Sequence, residues 1–315
     1  MKVVVASVAM VTVCAAGIVL AQSDTSKNTG ANNKSPELRQ LGKHLAKGQA
    51  DQHAGSYGGS NPLLFHAGGT VVSSTTEVHP IYWGPKWADS AFVNDKIAGL
   101  ALFYAGASSH YLSTNTEYTG STGLHTTDLI VEPDPDHPYI DSAHAAPTGD
   151  VQPIAVLNEV CSVVGSDVKR HAYYPVYVDS PRGSVGYCAY HSSGTCANGT
   201  PVDFAFFFNL DGDRGCDPVD TETGHSQGLS ALANVSGHEL SERQTDPFGN
   251  AWFDRLGYEN SDKCAWTFGP SALTFSNNTI WKVQGNWSNA ALTANRGYVS
   301  GITKYTGCID GTNEF

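Results

Sequence analysis

The sequence predicts a mixed α/β fold in which helices flank a central sheet. One segment, residues 202–210 (VDFAFFFNL), is almost wholly apolar, as expected of a strand in the middle of a sheet that is covered on both faces. Segments with helical periodicity and segments with strand composition alternate on either side of it, and the chain holds no internal repeat. This interleaving favours an α/β sandwich over an all-α or an all-β fold.

Four elements are predicted before that strand. Residues 70–83 are rich in β-branched and aromatic side chains with breaks between them, which predicts a hairpin or two short strands. Residues 89–104 and 154–164 carry apolar side chains at helical spacing and are predicted helices. Residues 175–179 (PVYVD) read as a further core strand.

One long helix is predicted after the apolar strand, over residues 226–244. Ser226 is its candidate N-cap and Pro247 its stop signal. A leucine stripe marks one face, whereas His238 and Glu242 lie on the opposite face, which we expect to line a cleft. The remaining third of the chain predicts loops and short strands.

The chain is divided into three regions. Residues 1–21 have a short basic start, an apolar core and a small residue at the end, which predicts a secretory signal peptide. The alternative is an uncleaved anchor, but alanine and glycine dilute the apolar run and no basic cluster follows it. Residues 22–61 are polar and predict a flexible arm, with a short helix as an option over residues 36–47. Residues 62–315 predict a single globular domain.

Charge and cysteine content narrow the class of protein. With 30 acidic against 18 basic residues, the net charge of -12 argues against nucleic acid or an anionic membrane as the partner. Cleavage of the signal would leave six cysteines, which predict three disulfides and a secreted, extracellular or periplasmic location; fifteen pairings stay open. The cysteines are Cys161, Cys188, Cys196, Cys216, Cys264 and Cys308.

The predicted long helix carries an HExxE motif. Residues four apart lie on one face of a helix, so His238 and Glu242 are candidate metal ligands, and Glu239 between them is a candidate base for a metal-activated water. Glutamate in place of the second histidine departs from the common pattern, and an ordinary surface helix is the alternative. Downstream, Glu259 is the first candidate for a third ligand and Asp262 the second. Cys264 would anchor this stretch by a disulfide, with Cys308 as its candidate partner.

The segment HELSERQTDPFGNAWFD followed by ENSDKC resembles the EXORDIUM (phosphate-induced) family of secreted proteins. The resemblance extends over residues 68–308 and is strong over residues 235–264; the family's cysteine cluster in mid-chain is not reproduced. Residues 81–87 and 188–191 agree more loosely. The resemblance implies an extracellular, zincin-like domain. The matching positions are His238, Glu239, Leu240, Glu242, Thr245, Asp246, Pro247, Asn250, Ala251, Trp252, Glu259, Asp262 and Cys264.

Three functions are predicted, in this order. The first is a secreted zinc-dependent hydrolase that acts on a peptide or protein substrate, with Glu239 as the general base. The second is a non-catalytic extracellular binding or signalling protein on a zincin-like scaffold. The third is a carbohydrate-binding protein that uses some of the six tryptophans as stacking platforms. A serine hydrolase is not favoured, because no GxSxG motif is present.

Overall fold

A computed structural model of the chain describes residues 38–49, 61–108, 110–123, 126–131 and 138–311. The α-helices in these ranges are α1 (Ser90–Val93), α2 (Lys96–Ala107), α3 (Pro153–Val164), α4 (Gln227–Thr245) and α5 (Asn289–Thr293). The first nine strands are β1 (Leu41–Leu45), β2 (Leu64–Phe65), β3 (Thr76–Val78), β4 (Ile81–Trp83), β5 (Leu129–Val131), β6 (Tyr139–Asp141), β7 (Tyr173–Pro181), β8 (Tyr187–Thr195) and β9 (Pro201–Asn209). The others are β10 (Trp252–Phe253), β11 (Leu273–Thr274), β12 (Ile280–Trp281), β13 (Asn286–Trp287), β14 (Gly297–Ser300), β15 (Thr303–Thr306) and β16 (Cys308–Ile309).

Eight strands form one mixed sheet, which confirms the predicted mixed α/β class. Its order is β1-β8-β9-β7-β3-β5, and β4 pairs with both β7 and β6. Strand β7 runs parallel to β9, β3 and β4, whereas β8 runs antiparallel to both of its neighbours, β1 and β9. The other strands form four short two-stranded pairs.

Helices cover the two faces of this sheet. Tyr177 of β7 points to one face, where its hydroxyl lies 2.7 Å from Ser236 Oγ of α4. Tyr190 of β8 points to the other face and donates to the Val151 carbonyl, just before α3. Strand β9 lies between β7 and β8, and its interior residues are buried, as predicted for a strand covered on both sides.

Several predicted elements are confirmed and one is divided. The long helix begins and ends within one residue of its prediction, and Ser226 Oγ accepts a hydrogen bond from Leu229 N–H as its N-cap. Residues 70–83 contain two short strands, β3 and β4. The single helix predicted over residues 89–104 is wrong: it is split into α1 and α2 because Asn94, with φ of 47°, cannot continue the first helix.

The predicted flexible arm is wrong over residues 38–49. These residues contain β1, which pairs with β8 at the edge of the main sheet; no helix forms there. The backbone groups of β1 find partners on β8, and Leu41 and Ala46 are buried, so the segment is held by the core. Residues 38–49 and the described residues that follow them belong to one compact unit. The predicted signal peptide and the rest of the arm lie outside the described residues.

Six cysteines form three disulfides, as predicted. The pairs are Cys161–Cys196, Cys188–Cys216 and Cys264–Cys308, and the last is the pairing that the sequence had suggested. Disulfides of this kind fit an extracellular protein. Within the ranges that the structure describes, no helix is both long enough and apolar enough to cross a membrane.

Candidate metal centre

Helix α4 is buried along nearly its whole length. His238, Glu239 and Glu242 each have no exposed surface, and neither does Leu240 on the leucine side. The helix is rich in small side chains, so its neighbours approach closely: a Cβ on Gly237 would lie 2.8 Å from the Tyr111 ring. The expectation that the His238 face lines a cleft is therefore wrong, because that face is enclosed by other parts of the chain.

A first group of possible metal ligands consists of His238, Glu242 and Asp262. One ligand atom from each lies within 4.8 Å of the others. His238 Nε2 is 3.1 Å from Glu242 Oε1 and 3.6 Å from Asp262 Oδ1. The Asp262 N–H also donates to Glu242 Oε1 at 2.8 Å, which fixes the carboxyl group. The helical spacing and the short 3-10 helix Asp262–Cys264 bring these residues together.

A second group shares Glu242 with the first. It consists of His191, Glu239 and Glu242, again with ligand atoms within 4.8 Å of one another. His191 lies on β8, next to Tyr190, and because side chains alternate along a strand it points towards α4. Its Nε2 is 3.9 Å from Glu242 Oε2 and 3.1 Å from Glu259 Oε2.

The structure thus brings together four of the predicted site residues and places the fifth beside them. Asp262, the second choice as a third ligand, lies in the first group. Glu259, the first choice, lies in neither group and contacts His191 instead.

Buried atoms without hydrogen bonds face this centre. Among the described residues, His238 Nε2 and Glu242 Oε2 have no hydrogen-bond partner, and the Glu239 oxygens have none of good geometry. The His238–Glu242 contact is close enough for an ion pair, but its geometry is not that of a hydrogen bond. An unpaired buried polar group costs about 1–3 kcal/mol, so several together call for a ligand. Imidazole and carboxylate are a donor set that suits a divalent cation, so the group could hold a metal ion.

Burial and crowding of carboxylates shift the pKa values in the centre. Burial, with Asp262 nearby, raises the pKa of Glu242 to about 7. Burial likewise raises the pKa values of Glu239 and Glu259 well above their usual range, and neighbouring carboxylates add to the effect. Burial lowers the pKa of His191 to about 3, with His238 as a further cause. Negative charge is therefore poorly balanced in this centre.

His238 behaves differently from His191. Burial lowers its pKa, but the carboxylates of Glu242 and Asp262 outweigh burial and leave the pKa well above its usual value. Its Nδ1 lies 3.1 Å from Gln284 Nε2. Gln284 also donates to the Ser261 carbonyl and accepts from the Trp266 N–H, which fixes its amide orientation. When the ring is neutral, Nδ1 of His238 accepts from Gln284 and the ring proton is on Nε2.

Two further histidines, His44 and His191, and one glycine, Gly42, complete the site. The sequence did not single out His44 or Gly42. His44 of β1 is fully buried and stacks on His238 with ring centroids 4.2 Å apart. Gly42, with φ of 44°, packs directly against Glu242 and His191. A Cβ at this position would collide with Glu242 Oε2 and lie 2.8 Å from the His191 ring. His191 lies in the stretch 188–191, which agrees only loosely with the EXORDIUM pattern. Side chains alternate between the two faces of β8, which pairs with the apolar strand β9. This alternation was the signal that could have placed His191 on the face towards α4.

The six tryptophans are all at least half-buried. Trp87, Trp281 and Trp287 are buried, and the other three are partly buried. All six rings pack in or against the hydrophobic core clusters.

Comparisons with protein-family models, with curated proteins and with solved structures found no match.

Proposed function

We propose that this chain is a secreted, zinc-dependent hydrolase that acts on peptide bonds, on an EXORDIUM-like, zincin-like scaffold. The observation that carries the proposal is the convergence of His238, Glu242 and Asp262 in one group, in which His238 and Glu242 are fully buried and each has an unpaired ligand atom. The agreement of residues 235–264 with the EXORDIUM pattern supports the same reading. The three disulfides support secretion.

His238, Glu242 and Asp262 are the residues that would hold the ion. When bound, zinc polarises a carbonyl group and acidifies a water molecule. One nitrogen and two carboxylate ligands fit zinc, and the set also admits other divalent ions. The Asp262 N–H holds Glu242 in place, so the first group is preorganised by its own backbone.

Glu239 is the residue assigned to proton transfer. It follows His238 on α4 and lies in the second ligand group, within 4.8 Å of atoms of His191 and Glu242. From there its carboxylate would take a proton from water and pass it to the leaving amine. Glu259 Oε2 lies 3.1 Å from His191 Nε2, and this contact positions the ring beside Glu239.

The test is metal content of the purified chain, measured by mass spectrometry. We expect about one zinc per chain, its loss in His238→Ala, and its retention in His225→Ala, whose ring stacks on Trp281 outside both ligand groups. Glu239→Gln should keep the metal and lower peptide hydrolysis about 10²- to 10⁴-fold. A folded wild-type chain that takes up no zinc, or an unimpaired Glu239→Gln variant, contradicts the proposal.

One observation favours a second function, a non-catalytic extracellular binding protein that carries no metal. Gln284 Nε2 lies 3.1 Å from Nδ1 of His238 and donates to it when the ring is neutral, which keeps the ring proton on the nitrogen that faces Glu242 and Asp262. A metal on Nε2 requires Nδ1 to donate, and Gln284 must then turn its amide over. Nitrogen-15 NMR of the His238 ring separates the two functions: with zinc added, Nδ1 should become protonated. If Nδ1 stays an acceptor, the metal-free binding protein is favoured.

A further inference from the structure

Residues 38–49, which we call the covering segment, are anchored at both ends. Near the first end, Gln40 Nε2 donates to the Val151 carbonyl at 2.8 Å and lies 3.1 Å from Asp150 Oδ1. Near the other end, the Trp266 indole N–H donates to the Leu45 carbonyl at 2.8 Å. The anchors lie outside the two ligand groups, so they can be altered without touching the metal centre.

The middle of the covering segment fits the centre closely but irregularly. Its register with β8 shifts on both sides of His44. Gly42 adopts a positive φ, which favours glycine, and leaves no room for a side chain against Glu242. Both ring nitrogens of His44 are buried without a hydrogen-bond partner among the described residues. The middle is therefore held by pairing with β8 and by burial, and not by hydrogen bonds of the His44 ring.

The covering segment closes the centre to any substrate. His191, His238, Glu239 and Glu242 have no exposed surface, whereas a reacting carbonyl must come within about 3–3.5 Å of the catalytic groups. Gly42 occupies that space. A cavity of 250 Å³, lined in part by Gly42, Asp246 and Glu259, adjoins the segment, so displacement of β1 would enlarge an existing space.

Displacement of β1 would also free the edge of β8. Strand β1 is the terminal strand of the main sheet and pairs antiparallel with β8. A free strand edge binds an extended polypeptide through its backbone groups. The place that β1 holds is therefore suited to an extended polypeptide with a small residue opposite Glu242.

We infer that residues 38–49 are an autoinhibitory strand, whose displacement opens both the ligand groups and the edge of β8 to an extended polypeptide substrate. This rests on the proposed function for the identity of the reaction, but closure of the site can be tested without metal or turnover.

The first test compares Gly42→Ala with Gly48→Ala in the full chain. Both glycines have positive φ and lie in the covering segment, but a Cβ at Gly48 meets nothing within 4 Å. Each variant is treated with diethyl pyrocarbonate in EDTA, and labelling of His191 is followed by peptide mass spectrometry, with the exposed His144 as reference. Because labelling of a buried group follows the population of opened molecules, we expect His191 to react about tenfold faster or more in Gly42→Ala.

A second pair guards against misfolding of Gly42→Ala. Gln40→Ala removes an anchor of the covering segment, whereas Gln152→Ala removes only contacts with the same Asp150. We expect faster His191 labelling in Gln40→Ala than in Gln152→Ala, with near-UV circular dichroism retained. Equal His191 labelling within each pair overturns the inference.

Turnover distinguishes this inference from the proposed function. If both hold, zinc-loaded Gly42→Ala or Gln40→Ala should cleave an unfolded protein such as reduced casein faster than wild type, and adding Glu239→Gln should abolish the gain. Faster His191 labelling without any turnover leaves the covering segment established as the cover of the site and contradicts the hydrolase. If wild type and both loosened variants show equal turnover and equal labelling, the autoinhibitory strand is contradicted and the hydrolase proposal is unaffected.

Discussion

Replacement of Glu242 by glutamine should change how the stability of the metal-free protein depends on pH. Glu242 is fully buried and belongs to both ligand groups, and its pKa is raised from 4.5 to about 7. The folded carboxyl thus binds a proton more tightly than the unfolded one. The stability gained in this way is complete below pH 4.5 and is lost as the pH rises through 7.

The size of this effect follows from the two pKa values of Glu242. A tenfold change in proton affinity is worth about 1.4 kcal/mol, so the full difference corresponds to about 3 kcal/mol. Most of it, about 2–3 kcal/mol, should be lost between pH 5 and pH 8. Glutamine resembles the protonated carboxyl and does not titrate, so Glu242→Gln should escape this loss.

The assay is urea unfolding in EDTA at several pH values between 5 and 8. We expect the free energy of unfolding of Glu242→Gln, minus that of wild type, to grow by about 2–3 kcal/mol over this range. Glu222→Gln is the control, because Glu222 pairs with Lys282 at the surface and its pKa is lowered, so its difference from wild type should stay flat. A difference for Glu242→Gln that is constant with pH would refute the reasoning.

Two further predictions concern the frame around the site. Arg243 of α4 donates to the buried Asp203 of β9 and to Thr76. Arg243→Met leaves the Asp203 carboxylate unpaired and should lower the free energy of unfolding, measured with urea, by about 3–5 kcal/mol. Adding Asp203→Asn should recover part of this loss. Replacing Cys264 and Cys308 together by serine opens a loop with a sequence separation of 44 and should lower the free energy of unfolding by about 4 kcal/mol; an unchanged urea midpoint would contradict the disulfide.

The sequence pattern predicted best those helices and strands whose residues are uniformly buried or are buried with a strong period. The apolar run at residues 202–210 corresponds to β9, and the Ser226 cap places the start of α4. The break at Asn94 was missed, because an asparagine within a helical pattern does not reveal a positive φ. Strand β1 was missed for another reason: its polar composition predicts an arm, and only its pairing with β8 makes it a strand.

The candidate site was also predictable only in part, because sequence patterns reveal local spacing but not tertiary packing. Spacing along one helix is local, so His238, Glu239 and Glu242 could be found from the motif. His191 and His44 come from β8 and β1, 47 and 194 residues before His238, and their approach depends on tertiary packing. The order of Glu259 and Asp262 could not be chosen from spacing, because both lie just beyond the same turn.

Charge explains why closure of the site and a cation belong together. Four carboxylates, those of Glu239, Glu242, Glu259 and Asp262, surround the centre, while burial keeps His191 neutral at pH 7. Burial, with neighbouring carboxylates adding to it, raises the pKa values of Glu239, Glu242 and Glu259, so without a cation protons balance part of this charge. A divalent ion would replace those protons, so metal uptake should release protons and strengthen with pH. The covering segment keeps water out of the centre and so increases the energetic cost of unbalanced charge. For this reason the closed site should bind a cation more favourably than the opened site.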